Sequence, residues 1–143
     1  MQFKRQRQLL ISALFVVWLA YLLRITVFRD GCFSHGLFSG SVEWIPFVYL
    51  AKLLRIRYWR YFSYLFFGNL IWFLPAGIFV RLRGGKLRHA FLCGAALSVG
   101  IELMQYVLGS GVSEVEDVIL NSTGAMIGFL LCPRRRSGCV KHS

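Results

Sequence analysis

The sequence predicts an all-α membrane protein in which four transmembrane helices form a bundle. Hydrophobic residues make up 57% of its 143 positions, more than a soluble domain of this length usually carries. The apolar residues are concentrated in four runs, at about residues 9–28, 61–80, 90–108 and 115–131. Runs of about 20 apolar residues are long enough to cross a bilayer. We therefore expect residues 1–143 to form one membrane domain.

The first apolar run, residues 9–28, follows a basic N-terminal segment and contains one charged residue, Arg24. A basic segment before an apolar run is also typical of a signal peptide. However, this run is long and has no small-x-small cleavage site, which favours a retained first span.

A mixed stretch connects the first and second apolar runs. Its last part, residues 52–60, combines basic residues with Tyr58 and Trp59. Aromatic and basic side chains together are typical of segments at the level of the lipid headgroups. We expect a short interfacial segment before the second span.

The other three runs carry polar residues among their apolar ones. The second contains Asn69, and the third contains Glu102 and Gln105. The fourth is short and follows an uncharged turn; its notable residues, with those just before it, are Glu114, Glu116, Asp117, Asn121, Gly124 and Gly128.

The distribution of Lys and Arg predicts that both termini are cytoplasmic, because positively charged loops stay on that side. In this orientation eleven of the 17 Lys and Arg lie inside and five outside. Four of the five are in residues 52–60, so the side on which that segment lies stays open. Basic clusters beside apolar runs attract anionic lipids, and nucleic-acid binding is not expected.

With this orientation, polar residues from all four spans fall in the outer half of the bilayer. Ser98, Glu102 and Gln105 are spaced by four and three positions and so share one helix face, as do Asp117 and Asn121. We predict that both faces point into the bundle and form a polar cleft. Its candidate residues are Arg24, Asn69, Glu102, Gln105, Glu114, Asp117 and Asn121.

Three interpretations of these residues stay open. In the first, they form a ligand-binding cleft, with Arg24 as the counter-charge. Alternatively, Glu102 and Asp117 act as general acid and base on a substrate. In the third, the polar groups only hold the helices together, with Glu102 paired to Arg24, because a lone carboxylate at the bilayer centre costs about 2.5–3.5 kcal/mol.

No metal or cofactor site is predicted. The four cysteines form no CxxC pair, and the three histidines have no partner at ligand spacing. The sequence also has no phosphate-binding loop and no nucleophile motif. The catalytic residues, if any, are not identified, and neither is the oligomeric state.

Several ordered segments resemble the VanZ-like family of bacterial membrane proteins. They are EWIPF at residues 43–47, GNLIWFLPAG at 68–77, IELMQ at 101–105 and EVEDVILNSTGA at 114–125, leading to Gly128. The ordered combination E-x-x-Q, then D-V-x-x-N-x-x-G, is similar to the family's pattern. The family usually has Asp where this chain has Glu114.

The resemblance implies a multi-pass protein of the bacterial cell membrane. It also implies low-level resistance to teicoplanin-type glycopeptides without remodelling of the peptidoglycan precursor. From it we expect an accessory factor at the cell-wall side, with a lipid-linked wall precursor or the glycopeptide as possible ligand. An enzyme acting on a lipid-linked or glycan substrate, and a structural or partner-binding subunit, are the alternatives.

Overall fold

The computed structural model describes residues 2–28, 36–38 and 40–133. Predictions about Arg29, Cys32, His35 and the C-terminal basic segment lie outside the described residues. The described chain is mostly helical, with two short strands. In order, the elements are α1 (Gln2–Thr26), β1 (Ser41–Glu43), α2 (Val48–Arg55), α3 (Trp59–Leu82), α4 (Leu87–Leu108), β2 (Val112–Glu114) and α5 (Val115–Leu131).

Three of these helices, α1, α3 and α4, are long and apolar enough to cross a membrane. Their outward faces carry exposed Leu, Ile, Val and Phe side chains, as expected for a surface solvated by lipid. Helix α5 has 17 residues and is about 25 Å long, less than the roughly 30 Å of a hydrocarbon core.

Helix α5 packs most closely against α3, and glycines permit the approach. A Cβ on Gly77 of α3 would collide with the carbonyl oxygen of Ala125, and one on Gly124 would collide with that of Leu70. Gly128 meets Leu74 in the same way. Small residues of this kind let membrane helices come into backbone contact.

Helix α1 lies at the side of this core, with Ile11 and Leu22 as its buried residues. The rings of Phe15 and Phe79 stack with their centroids 4.0 Å apart. The indole Nε1 of Trp18 donates to the carbonyl of Trp72, 3.1 Å away. Aromatic contacts and this hydrogen bond thus help to attach α1 to α3.

The two strands pair in parallel, which the sequence did not predict. Ser41 pairs with Val112, Val42 with Ser113 and Glu43 with Glu114. The chain before β1 runs along the end of α4, where the Phe38 amide donates to the Val107 carbonyl at 2.8 Å. The strand pair therefore joins the segment after α1 to the turn between α4 and α5.

The predicted interfacial segment corresponds to α2, which begins earlier than residue 52 and ends at Arg55. Its buried residues, Leu50 and Leu53, pack with Leu120 of α5. Lys52 and Arg55 are exposed. A short helix with one apolar and one basic face fits a position at a membrane surface.

Candidate functional site

Five carboxylates meet at the end of the bundle formed by the strand pair. Register places Glu43 beside Glu114, and Glu114 is followed at once by the first turn of α5. We call this region the acidic end; its carboxylates are Glu43, Glu102, Glu114, Glu116 and Asp117. They are five of the six acidic residues of the chain.

Glu102 connects α4 to the turn that leads into α5. Its side-chain oxygen Oε2 accepts from the Glu114 backbone N–H at 3.0 Å, and its carbonyl accepts from the Ser113 hydroxyl at 2.8 Å. The Glu102 side chain is buried, which is uncommon for a carboxylic acid. These two bonds fix the position of its carboxyl group against β2.

Asp117 and Glu116 point to different neighbours from adjacent positions of α5. The Asn69 side-chain amide of α3 donates to the Asp117 carboxylate. The Phe47 backbone N–H donates to the Glu116 carboxylate, which joins the start of α2 to α5. Each carboxylate thus holds a different element against the N-terminus of α5.

Glu114 differs from Glu102, Glu116 and Asp117 because its carboxyl accepts none of these hydrogen bonds. Burial, followed by the nearby charges of Asp117, Glu116 and Glu43, raises the pKa of Glu114 from 4.5 to about 7. Among the described residues, no Lys or Arg forms an ion pair with any carboxylate of the acidic end. The site therefore carries negative charge without an internal counter-charge.

A cavity of about 360 Å³ opens beside Glu102 and Glu114. We call it the acidic groove. Apart from these two carboxyls and Ser113, its walls are apolar or aromatic, and they come from β1, α4, β2 and α5. The lining residues are Val42, Trp44, Val99, Glu102, Leu103, Tyr106, Ser113, Glu114, Val115 and Val118. A groove of this composition suits an apolar group with a polar head.

The remaining predicted residues divide into two groups. Asn121 lies deeper in the bundle, where its Nδ2 donates to the Ser98 hydroxyl at 2.8 Å. Its Oδ1 is buried and has no hydrogen-bond partner among the described residues. Gln105 donates from Nε2 to the Thr26 carbonyl at 3.2 Å and holds the end of α1 against α4. Neither residue lines the acidic groove.

Arg24 is placed apart from these groups. Its side chain is exposed, and its guanidinium donates to the Phe28 carbonyl, 2.5 Å away. Within the described part of the chain, no carboxylate pairs with it. The Glu102–Arg24 pair considered from the sequence is therefore not formed among these residues.

Residues outside the predicted set also contribute. Glu116 was placed in the acidic cluster but not among the site residues, and Glu43 enters through strand pairing. In the sequence, only the position of Glu43 in the segment EWIPF indicates that it belongs with the other residues of the site. Within the described ranges, no three His, Cys, Asp or Glu side chains are arranged to hold a metal ion, and Cys93 and Cys132 are free and half-buried.

Comparison with known proteins gives the family. The VanZ/LLP1 family model matches residues 9–136, which include every described element except the start of α1 and contain the whole acidic end. This chain belongs to the VanZ/LLP1 family. The VanZ-like resemblance noted from the sequence segments is thereby confirmed. No curated protein and no solved structure matches the chain.

Family membership and the apolar helices together indicate a membrane protein in contact with lipid. The segments that carry the VanZ-like resemblance map onto the site. EWIPF contains the Glu43 side of the strand pair and Phe47, whose amide binds Glu116. GNLIWFLPAG contains both Asn69 and Gly77, one at the acidic end and one at the α3–α5 contact.

Proposed function

We propose that this VanZ-like protein is an accessory factor at the outer, cell-wall side of the bacterial cell membrane. There it lowers sensitivity to teicoplanin-type glycopeptides by binding an amphipathic ligand in the acidic groove. The ligand is a lipid-linked wall precursor or the glycopeptide itself, and it presents a cationic or hydrogen-bond-donating head.

The proposed topology has four spans with both termini in the cytoplasm. Helix α5 is the fourth span, and because it is short it crosses with local thinning of the bilayer. The acidic end then faces outward, with α2 in the outer interface. The basic turn between α3 and α4, with Arg81, Arg83, Lys86 and Arg88, faces the cytoplasm, as positively charged loops do.

The observation that carries the proposal is that Glu102 and Glu114 line a 360 Å³ cavity that is otherwise almost entirely apolar. Carboxylates that serve only to hold helices together have no need of an adjacent cavity. Here one oxygen of Glu102 is bonded to the Glu114 amide, and both residues line the open space. An amine or hydroxyl head would bind there while its apolar part follows Leu103, Tyr106 and Val118.

Antibiotic tolerance of cells that express single variants tests this function. Glu114→Gln keeps the size of the side chain and removes its charge, so we expect tolerance to fall to the level of cells without the protein. Glu102→Gln should have the same effect. Asp117 does not line the groove, but it accepts from Asn69 and so holds the start of α5, next to Glu114, against α3; Asp117→Asn should therefore also lower tolerance. Immunoblots of membrane fractions, with gel filtration of the purified variants, establish that each protein is folded and abundant.

Glu43→Gln is the matched control. Glu43 is paired in register with Glu114 but is exposed and does not line the acidic groove. The same charge is therefore removed at the same end of the molecule, and tolerance should be retained. Full tolerance in Glu114→Gln, Glu102→Gln and Asp117→Asn cells would refute the proposal.

An enzyme acting on a lipid-linked or glycan substrate is the second candidate, favoured by the pKa of Glu114. A carboxyl that titrates at about pH 7 is suited to general acid–base catalysis. In this case Glu102 and Asp117 would be the acid and base proposed from the sequence, with Glu114 beside them. Lipid extracts of cells with and without the protein would differ by a converted species if it is an enzyme, and would be identical for a binding factor.

A structural or partner-binding role is favoured by the pairing of Asn69 with Asp117 and of Asn121 with Ser98. The distinguishing quantity is protein abundance. If the polar residues only hold helices together, Glu102→Gln should reduce the amount of protein in the membrane and tolerance should fall in proportion. In a binding factor, tolerance falls while abundance stays constant.

A further inference from the structure

A second cavity, of about 470 Å³, lies at the opposite end of the bundle from the acidic groove. It is formed where the turn between α3 and α4 meets the C-terminus of α5 and the first turns of α1. Three cationic side chains line it: Arg7, Arg81 and Lys86. Among the described residues, all five carboxylates are at the acidic end, so no acidic side chain neutralises this cavity.

Arg81 is held in place before any ligand binds. Its Nε donates to the Cys132 carbonyl at 3.3 Å, and its guanidinium carbon lies 4.5 Å from the centre of the Phe129 ring. Both partners belong to the end of α5. No other hydrogen bond of this guanidinium is made within the described part of the chain, and a planar guanidinium is well matched to phosphate oxygens.

Hydrogen bonds from Arg83 to α1 place Arg7 beside the same cavity. The Arg83 guanidinium donates to Gln8 Oε1 at 2.8 Å and to Ser12 Oγ at 3.0 Å. These bonds join the end of α3 to α1 and place Arg7, one residue before Gln8, beside the turn. Arg83 is thus a structural residue, whereas Arg7 lines the open space.

The backbone around Lys86 adds to the positive potential. Gly84 has φ +79°, and with Gly85 it turns the chain so that Lys86 precedes α4 directly. The Lys86 amide itself donates to His89 Nδ1 at 3.2 Å, but the dipole of α4 still favours an anion at this end. The apolar part of the cavity wall is formed by Leu82, Leu87, Phe129 and Pro133.

We propose that this cavity, lined by Arg7, Arg81 and Lys86, binds a phosphate group, carried either by an anionic lipid headgroup or by a soluble phosphate. Its volume accommodates a phosphoglycerol head. Cation-lined pockets between helices at the membrane surface are suited to anionic lipids. The site is independent of the acidic groove and of the ligand proposed there.

Native mass spectrometry of the full-length chain in detergent tests the proposal. The probes are phosphatidylglycerol, dioleoylglycerol with the same acyl chains but no phosphate, and inorganic phosphate. We expect one high-affinity phosphatidylglycerol, and no comparable binding of dioleoylglycerol. Binding of inorganic phosphate with equal affinity would support the site and identify a soluble phosphate as its source, whereas weak binding would identify the lipid.

Lys86→Gln should weaken phosphatidylglycerol binding about fivefold, the effect of one basic residue near a membrane surface. Arg7→Gln should do the same. Arg88→Gln is the matched control, because Arg88 is exposed, lies two residues from Lys86 and does not line the cavity. Equal binding of dioleoylglycerol, or equal loss in Lys86→Gln and Arg88→Gln, would overturn the proposal.

Discussion

The pKa of the Glu114 carboxyl depends on its burial and on the acidic groups around it. Its backbone N–H binds the Glu102 carboxylate, while its own carboxyl is partly buried near Asp117, Glu116 and Glu43. All three neighbouring groups are acidic, so each of them favours the protonated form of Glu114. A cationic ligand head in the acidic groove would reverse this preference.

The raised pKa of Glu114 makes stability depend on pH. The folded protein retains this proton up to about pH 7, whereas the unfolded chain releases it near 4.5. The folded state therefore binds more protons between these values, and stability decreases as pH rises from 4.5 to 7. The melting temperature of the purified protein should be higher at pH 5 than at pH 8, and the difference should be smaller in Glu114→Gln. An equal difference in both proteins would contradict this prediction.

The contact between Asn69 and Asp117 should also be measurable. Asn69→Ala removes the amide that donates to a half-buried carboxylate, and we expect a loss of about 1–2 kcal/mol in the free energy of unfolding. A double-mutant cycle with Asp117→Asn in detergent measures the coupling. Gln105→Ala, which removes a bond to a backbone carbonyl instead, should cost less. Zero coupling would exclude the pairing.

At the scale of elements, the helices were predictable and the strands were not. Helices α3, α4 and α5 extend beyond the three later predicted runs by at most a few residues at either end. Runs of about 20 apolar positions give a strong signal for a spanning helix. Three-residue strands give no periodicity, so the pairing of β1 with β2 could not be predicted. It is this pairing that brings Glu43 and Trp44 to the site.

The contacts of the residues predicted for the polar cleft could be anticipated only in part. Spacing on a helix predicted that Ser98 and Glu102 share one face. Asn69 and Asp117, predicted from the sequence to lie at the same depth, form a hydrogen bond. Neither argument determines how a long side chain bends at a helix end. Arg24 therefore reaches the Phe28 carbonyl of its own segment instead of a carboxylate.

The α3–α5 contact provides a test of the packing. Gly124→Ala places a Cβ against the Leu70 carbonyl, and we expect a destabilisation of about 1–3 kcal/mol. Gly68→Ala is the matched control, because a Cβ there meets nothing within 4 Å. Thermal unfolding in detergent, followed by circular dichroism, compares the two. Similar melting temperatures for both variants would show that the contact tolerates an added methyl group.

At the scale of the whole molecule, the described carboxylates are all at one end, where α2 also contributes basic residues. The described carboxylates lie at the strand pair, and the turn between α3 and α4 carries four basic residues. This division is compatible with the proposed orientation, because basic turns stay in the cytoplasm while acidic ones contribute little to topology. The two proposed binding sites then face opposite sides of the membrane.

Cysteine labelling of intact cells tests that orientation. In a variant with the four native cysteines replaced by Ala, Val112→Cys should react with a membrane-impermeant maleimide. Arg88→Cys and His142→Cys should react only after permeabilisation. Labelling of His142→Cys in intact cells together with Val112→Cys would mean three spans, and labelling of Arg88→Cys together with His142→Cys, but not Val112→Cys, would mean the reverse orientation.

The acidic end joins residues that are far apart in the sequence and are therefore synthesised at different times. The Phe47 amide and the Glu116 carboxylate that join across the acidic end are 69 positions apart, with α3 and α4 between them. Both of these helices are long enough to cross the bilayer, so the two halves of the site meet only after the hairpin has been inserted. A nascent chain that stops before β2 lacks half of the acidic groove. The proposed ligand would therefore bind only to molecules in which the chain has been synthesised at least as far as Val118.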